Sequence, residues 1–225
     1  MPLTVIDNPL AQYYLSVLRD RRTTPKSYRD ALRKLGFIMG YEISRRLKWT
    51  RAFVDTGLGR AEGLYPARPL LIVGVLGASV PFMHGVWDAM PWAGLGLIGA
   101  RRRVEGGAVK VEVFYERLPD DLSLYNTIVV DPILATGATM AEVTRRVMAR
   151  GCRILIAATI VASRRGLERY AEMHPDVDVF VVGIDPILDD RSYFVLPGIG
   201  DAGERSLSAD FVTLYDGSPA TDGMA

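Results

Sequence analysis

Most of the chemistry legible in this sequence lies in twelve consecutive residues, Ile128-Val129-Val130-Asp131-Pro132-Ile133-Leu134-Ala135-Thr136-Gly137-Ala138-Thr139. An apolar strand runs into a carboxylate, then a loop of small residues, then a helix. A strand end fixes Asp131 at the edge of a sheet where ligands bind. Ala135, Gly137 and Ala138 let a ligand approach the backbone closely. The first N–H groups of the helix lack internal partners, and the helix dipole favours an anion there. A phosphate is the natural occupant, and Thr136 and Thr139 add hydroxyl donors. The Gly-Lys-Ser/Thr ending of a P-loop is absent, and so is G-x-G-x-x-G. Taken alone, the same residues serve equally well as a helix N-terminus capped by Thr136 or Thr139.

The surrounding pattern supplies the elements that would position this loop. Residues 10–47 read as helical: Tyr14, Leu15 and Leu18 share a face, as do Leu32, Leu35 and Ile38. Thr24-Pro25 precedes the second run as a cap and first-turn proline would. Residues 49–68 show weak periodicity and several Gly, and take no assignment. Strands and helices then alternate. Leu70 to Leu76 is a continuous apolar run, as in a strand covered on both faces. Trp92 to Ile98 is a second, Gly-rich run. Lys110 to Glu116 alternates polar and apolar, so residues 101–117 read as a protruding hairpin. Strands are expected at 127–130, 154–162 and 177–184, with helices at 138–150 and 165–173. The first of these helices carries Met140, Val143, Val147 and Met148 on one face, with Gly151 closing it. The alternation predicts an α/β fold with a largely parallel sheet.

Composition limits the function classes. The chain has 225 residues, 49% hydrophobic and 24% charged, with a net charge of +1, which is a globular composition. That charge gives no electrostatic case for nucleic acid as a partner. A single Cys excludes an internal disulfide framework and a cysteine-built zinc site. No basic run followed by an apolar stretch opens the chain, so no secretory signal is read. The most apolar segment, Leu70 to Met83, is broken by two Gly and a Pro and is short of the roughly 20 residues of a membrane span. A cytoplasmic location follows as the expectation.

The stretch 128–139 resembles the phosphoribosyl-pyrophosphate (PRPP) motif of the type I phosphoribosyltransferases. Its Asp-Pro-x-Leu-Ala-Thr-Gly form is similar to that of the uracil phosphoribosyltransferase family. Near the C-terminus, Val195-Leu196-Pro197-Gly198-Ile199-Gly200-Asp201-Ala202-Gly203-Glu204-Arg205 resembles that family's uracil-binding segment. The resemblance extends from Asn8-Pro9-Leu10 and Leu18-Arg19-Asp20 through His174-Pro175-Asp176-Val177 to Arg205. It implies a central, mostly parallel sheet flanked by helices, with N-terminal helices over about 10–47 and a β-arm over about 101–117. One domain would span 1–205, with a tail at 206–225.

The implied reaction displaces pyrophosphate from C1′ of PRPP by N1 of uracil, giving uridine monophosphate (UMP). Asp131 and Asp201 are implied as the catalytic residues. Asp131 would hold the ribose hydroxyls, close to the charge that develops at C1′. Pro132, Ile133 and Leu134 follow it in the PRPP contact, and Ala135, Thr136, Gly137, Ala138 and Thr139 would cradle the 5′-phosphate. Asp201 would act on the pyrophosphate side, meeting Mg²⁺ through water. The ion would arrive on the substrate, with no direct protein ligand. Val195, Gly200, Asp201 and Ala202 would read uracil, largely through backbone groups. Arg103 or Arg101, from the Arg101-Arg102-Arg103 triplet, would be the family's pyrophosphate-binding arginine. The resemblance also implies a homodimer or homotetramer and leaves room for an allosteric nucleotide.

The chain departs from the family pattern at one place. A loop usually written Leu-Arg-Ala-Gly reads Leu76-Gly77-Ala78-Ser79 here, so an arginine contact to pyrophosphate is missing. Two rival readings follow: a non-catalytic relative that binds PRPP or a nucleotide as a regulator, and a transferase for another base. His84, Cys152, Trp87 and Trp92 read as structural residues.

Overall fold

The computed structural model describes residues 1–105 and 108–209, the side chains at 102, 104, 105, 108 and 109 excepted. The chain opens with β1 (Leu3–Val5) and two helices, α1 (Pro9–Arg19) and α2 (Pro25–Ser44). Asn8 caps α1 by accepting from the amides of Leu10 and Ala11. Thr24 caps α2 by accepting from Ser27, with Pro25 in the first turn, as expected. An antiparallel ribbon follows, β2 (Trp49–Thr56) and β3 (Gly59–Pro66).

The rest alternates: β4 (Leu70–Val75), α3 (Ser79–Ala89), β5 (Gly94–Glu105), β6 (Ala108–Arg117), β7 (Asn126–Val130), β8 (Ile133–Leu134), α4 (Ala138–Ala149), β9 (Ile154–Ser163), α5 (Arg164–Met173) and β10 (Asp178–Asp185). The chain then runs through β11 (Ile187–Leu188), β12 (Val195–Leu196) and α6 (Ala202–Leu207). The main sheet has the order β1-β10-β9-β7-β4-β5-β6, with β8 alongside β9. Every pairing in it is parallel except β5 with β6.

The continuous apolar runs have the cause expected of them. Every residue of β4 and β7 is buried, because helices cover both faces of a parallel sheet. One core cluster joins α1, α2 and α3 to one face; a second joins α4 and α5 to the other. Met140, Val143 and Val147 are buried in the second cluster, whereas Met148 is exposed. Met148 follows Val147 directly, about 100° further round the helix, and so leaves the apolar stripe.

The expected arm is present as the β5–β6 hairpin. Beyond Ile98, β5 has no partner but β6, so the hairpin leaves the body of the sheet. The ribbon β2–β3 was not expected. Phe53, Leu58, Leu64 and Tyr65 are all exposed on it, so no alternation of buried and solvated residues marks these strands. The tail does not begin at 206 either. Ser206 is buried inside α6, and Arg29 of α2 donates to its carbonyl at 2.9 Å. Residues 210–225 lie outside the described residues. Among the described residues, no helix is long and apolar enough to cross a membrane.

Candidate active site

Asp131 leaves the end of β7 with its amide donating to the carbonyl of Ala158 at 3.1 Å. The Pro132 carbonyl accepts from the amides of both Ile160 and Val161, which ties the turn to β9 just after the carboxylate. The Ala135 carbonyl accepts from the Ser163 hydroxyl at 2.6 Å, and that hydroxyl accepts from the Gly166 amide at 2.8 Å. One buried serine therefore caps α5 and pins the loop. Gly137 has φ +78°, a left-handed conformation open to glycine at little cost. This turn starts α4 with its first N–H groups facing out of the loop. The Thr136 hydroxyl accepts from the Ala138 amide at 3.3 Å; Gly137 itself is the N-cap residue, with no side-chain cap. Residues 133–140 line a small cup at this helix start.

A cavity of about 390 Å³ opens beside the cup. Asp131, Pro132, Ile133 and Ala135 line it together with Val195, Ile199 and residues 200–203. The two sequence motifs, far apart in the chain, thus meet in one space. Val195, Gly200, Asp201 and Ala202 all line it. Leu134 and residues 136–139 line the cup instead.

Ser192, Tyr193 and Phe194 also line the cavity, as does Ala78, and the sequence reading missed them. Their signal was Asp189, whose carboxylate accepts from the amides of Arg191 and Ser192 and is thereby held below its usual range. That turn throws Tyr193 into a left-handed conformation, φ 59°. Asp201 has a second role: its carboxylate accepts from the Glu204 amide at 3.0 Å and caps α6.

The arginines are not brought to the cavity. Arg101 makes two hydrogen bonds to Glu112, at 2.9 and 3.0 Å. Arg103 is ion-paired to the same carboxylate, and these contacts hold Glu112 below its usual range, Arg101 contributing most. The hairpin nevertheless reaches the loop after β7, since Val111 of β6 lines a groove with Thr136 and Ala138. The Arg102 side chain lies outside the described residues.

Gly77 has φ +111° with open space around it. A side chain there would find room but meet backbone strain of about 1–3 kcal/mol. Gly77→Arg is therefore expected to lower the melting temperature without tightening PRPP binding, read by thermal unfolding and by titration. A PRPP affinity gain of about tenfold, the size of one charged hydrogen bond, would contradict this.

A larger groove, about 820 Å³, lies between α4 and α5. Two of its arginines are already neutralised: Arg145 pairs with Glu142 and Arg165 with Asp190. Arg169, Glu172 and, from the loop after β7, Thr136 and Ala138 line it as well. Among the described residues no group of three or more His, Cys, Asp or Glu gathers as a metal cage.

The uracil phosphoribosyltransferase family model matches residues 5–208. The chain belongs to that family. A uracil phosphoribosyltransferase of Aeropyrum pernix is 41% identical over 207 residues, covering 91% of this chain and 95% of its own. One of Pyrobaculum islandicum is 42% identical over 211 residues, 92% of this chain and all of its own. The solved structure of the AQ2163 protein from Aquifex aeolicus superposes with a TM-score of 0.85 at 26% identity, over 93% of this chain and 99% of that one. A hypoxanthine phosphoribosyltransferase of Staphylococcus aureus shares the fold at TM-score 0.50 and 16% identity. The architecture is thus the type I phosphoribosyltransferase fold.

Proposed function

We propose that this family member transfers the phosphoribosyl group of PRPP to uracil. The bond from C1′ to the pyrophosphate oxygen breaks, the bond from C1′ to N1 forms, and the N1 proton is released as pyrophosphate leaves. The observation that carries the reading is the single cavity shared by Asp131 and the 195–203 loop.

Each part of the site has a task in that reaction. The first turn of α4 anchors the 5′-phosphate through backbone amides and the helix dipole. Asp131 orients the ribose and offsets positive charge at C1′. Backbone groups of Val195 and residues 200–202 match the imide edge of uracil. Asp131 and Asp201 both line the cavity. Such a sparse oxygen donor set fits Mg²⁺ carried by the substrate's pyrophosphate and by water, with Asp201 reaching it through water. When bound, the ion neutralises charge on the departing pyrophosphate. Among the described residues, no arginine lines this cavity.

The test is pyrophosphate release with uracil, cytosine, orotate, adenine and hypoxanthine in parallel, with and without Mg²⁺. Release with uracil alone, and only with Mg²⁺, supports the reading. Tight PRPP binding without turnover of any base would favour the non-catalytic regulator, the alternative that Gly77 motivates.

We assign the chain to the cytoplasm, where its one buried free cysteine suits a reducing compartment. We also propose a homo-oligomer built through the β2–β3 ribbon. A lone two-stranded ribbon is marginal in water, and this one carries exposed Phe53, Leu64 and Tyr65. Replacing all three by Ser is expected to shift the chain to monomer in light scattering. An unchanged mass would refute the ribbon as interface.

A further inference from the structure

Two adjacent residues of the base-reading loop, Gly198 and the cavity-lining Ile199, are gripped by side chains from elsewhere in the chain. Gly198 and Ile199 sit between the cis Leu196–Pro197 bond and Gly200. Asp185, at the end of β10, is 4% exposed. Its carboxylate accepts from the Gly198 amide at 2.8 Å. It also accepts from both terminal nitrogens of Arg19, at 2.9 and 2.7 Å. One of those nitrogens donates as well to the Gly198 carbonyl at 2.9 Å. Both backbone polar groups of Gly198 are therefore held by one ion pair.

A second grip takes the next residue. The Ile199 carbonyl accepts from Arg205 at 2.8 Å and from the Tyr28 hydroxyl at 3.2 Å. The Arg205 guanidinium lies 4.4 Å over the Tyr28 ring, and it also donates to the carbonyls of Leu18 and Asp20. Arg19, in the last turn of α1, thus joins the N-terminal helix to the loop that faces the base.

We infer that Arg19 and Asp185 are a positioning pair for base recognition. Resting on the reading of 195–203 as the uracil wall, the pair sets where the amides and carbonyls of Val195 and residues 200–202 stand. A planar guanidinium and a carboxylate suit this task because their fork-to-fork contact fixes direction as well as distance. A buried ion pair adds little net stability compared with apolar packing, so geometry is what it contributes here. The phosphate cup is built on β9 and α5 through Ser163; Asp185 is the ladder neighbour of Ser163, but its carboxylate is turned to Arg19 and Gly198. Uracil binding should therefore depend on the pair and PRPP binding should not.

The experiment measures KM for uracil, KM for PRPP and kcat in the full chain, for Arg19→Lys and Asp185→Asn. Arg19→Lys keeps the charge and loses the fork. The expected result is a rise in uracil KM of about tenfold or more, the cost of a lost charged hydrogen bond. KM for PRPP should be near that of the unaltered chain, and Arg19→Ala should be worse than Arg19→Lys for uracil alone. An unchanged uracil KM, or equal rises for both substrates, would overturn the inference. So would loss of folding in Arg19→Lys, since the pair would then serve stability. Absence of uracil turnover in the unaltered chain would instead strike at the proposed reaction itself.

Discussion

Asp131→Asn is expected to lower kcat with uracil by about 10²–10³-fold, the usual size of a lost preorganised electrostatic contact. The variant should still fold, because the backbone ties of this turn do not involve the side chain. The reasoning separates the side chain from the backbone. The backbone at this position is held by the residue 131 amide, bonded to the Ala158 carbonyl, and by the neighbouring Pro132 carbonyl, bonded to β9. Asparagine keeps both, with nearly the same volume. What it removes is the negative charge on the cavity wall, opposite which C1′ becomes cationic. The effect should appear in kcat more than in KM for PRPP, because charge develops only on the way to the transition state. Steady-state kinetics with thermal unfolding on the same preparation checks it. Full activity in the variant would remove Asp131 from the mechanism.

Gly166→Ala should damage stability and PRPP binding together. A methyl group at Gly166 would stand 2.1 Å from the Ala135 carbonyl oxygen and 2.9 Å from the Ser163 hydroxyl. The first is backbone of the phosphate loop and cannot swing aside. Overpacking of this kind costs about 1–3 kcal/mol, and a backbone clash belongs at the upper end. For a domain of this size that is a fall of roughly 6–12 °C in melting temperature. Relief of the clash must push the loop away from α5, so KM for PRPP should rise by about tenfold or more. Ser163→Ala is the companion variant. It leaves the Ala135 carbonyl and the Gly166 amide buried without their shared partner, at about 1–3 kcal/mol. A Gly166→Ala protein with unaltered PRPP affinity would show that the loop is not set by this contact.

What the sequence disclosed follows from how local each signal is. The strand–carboxylate–loop–helix unit at 128–139 was legible because four adjacent features occur in one short run. The apolar strands β4, β7 and β9 were legible because burial on both faces leaves no polar alternation to obscure them. The ribbon β2–β3 was not, because solvent on both faces erases the period on which such reading depends. Arg101 and Arg103 fit a phosphate-binding role by type, and their pairing with Glu112 needed the hairpin register to be seen. Asp201 was read for chemistry, and its capping of α6 needed the helix to be seen. The grip of Arg19 on Gly198 spans most of the chain, and no spacing rule reaches that far.

The most direct test of the account is the conversion of labelled uracil in the presence of PRPP and Mg²⁺, with both products followed. The account predicts UMP and pyrophosphate appearing in equal amounts, with neither formed when uracil or PRPP is left out. Pyrophosphate release that does not depend on uracil, or no UMP from a protein that binds PRPP, would contradict it.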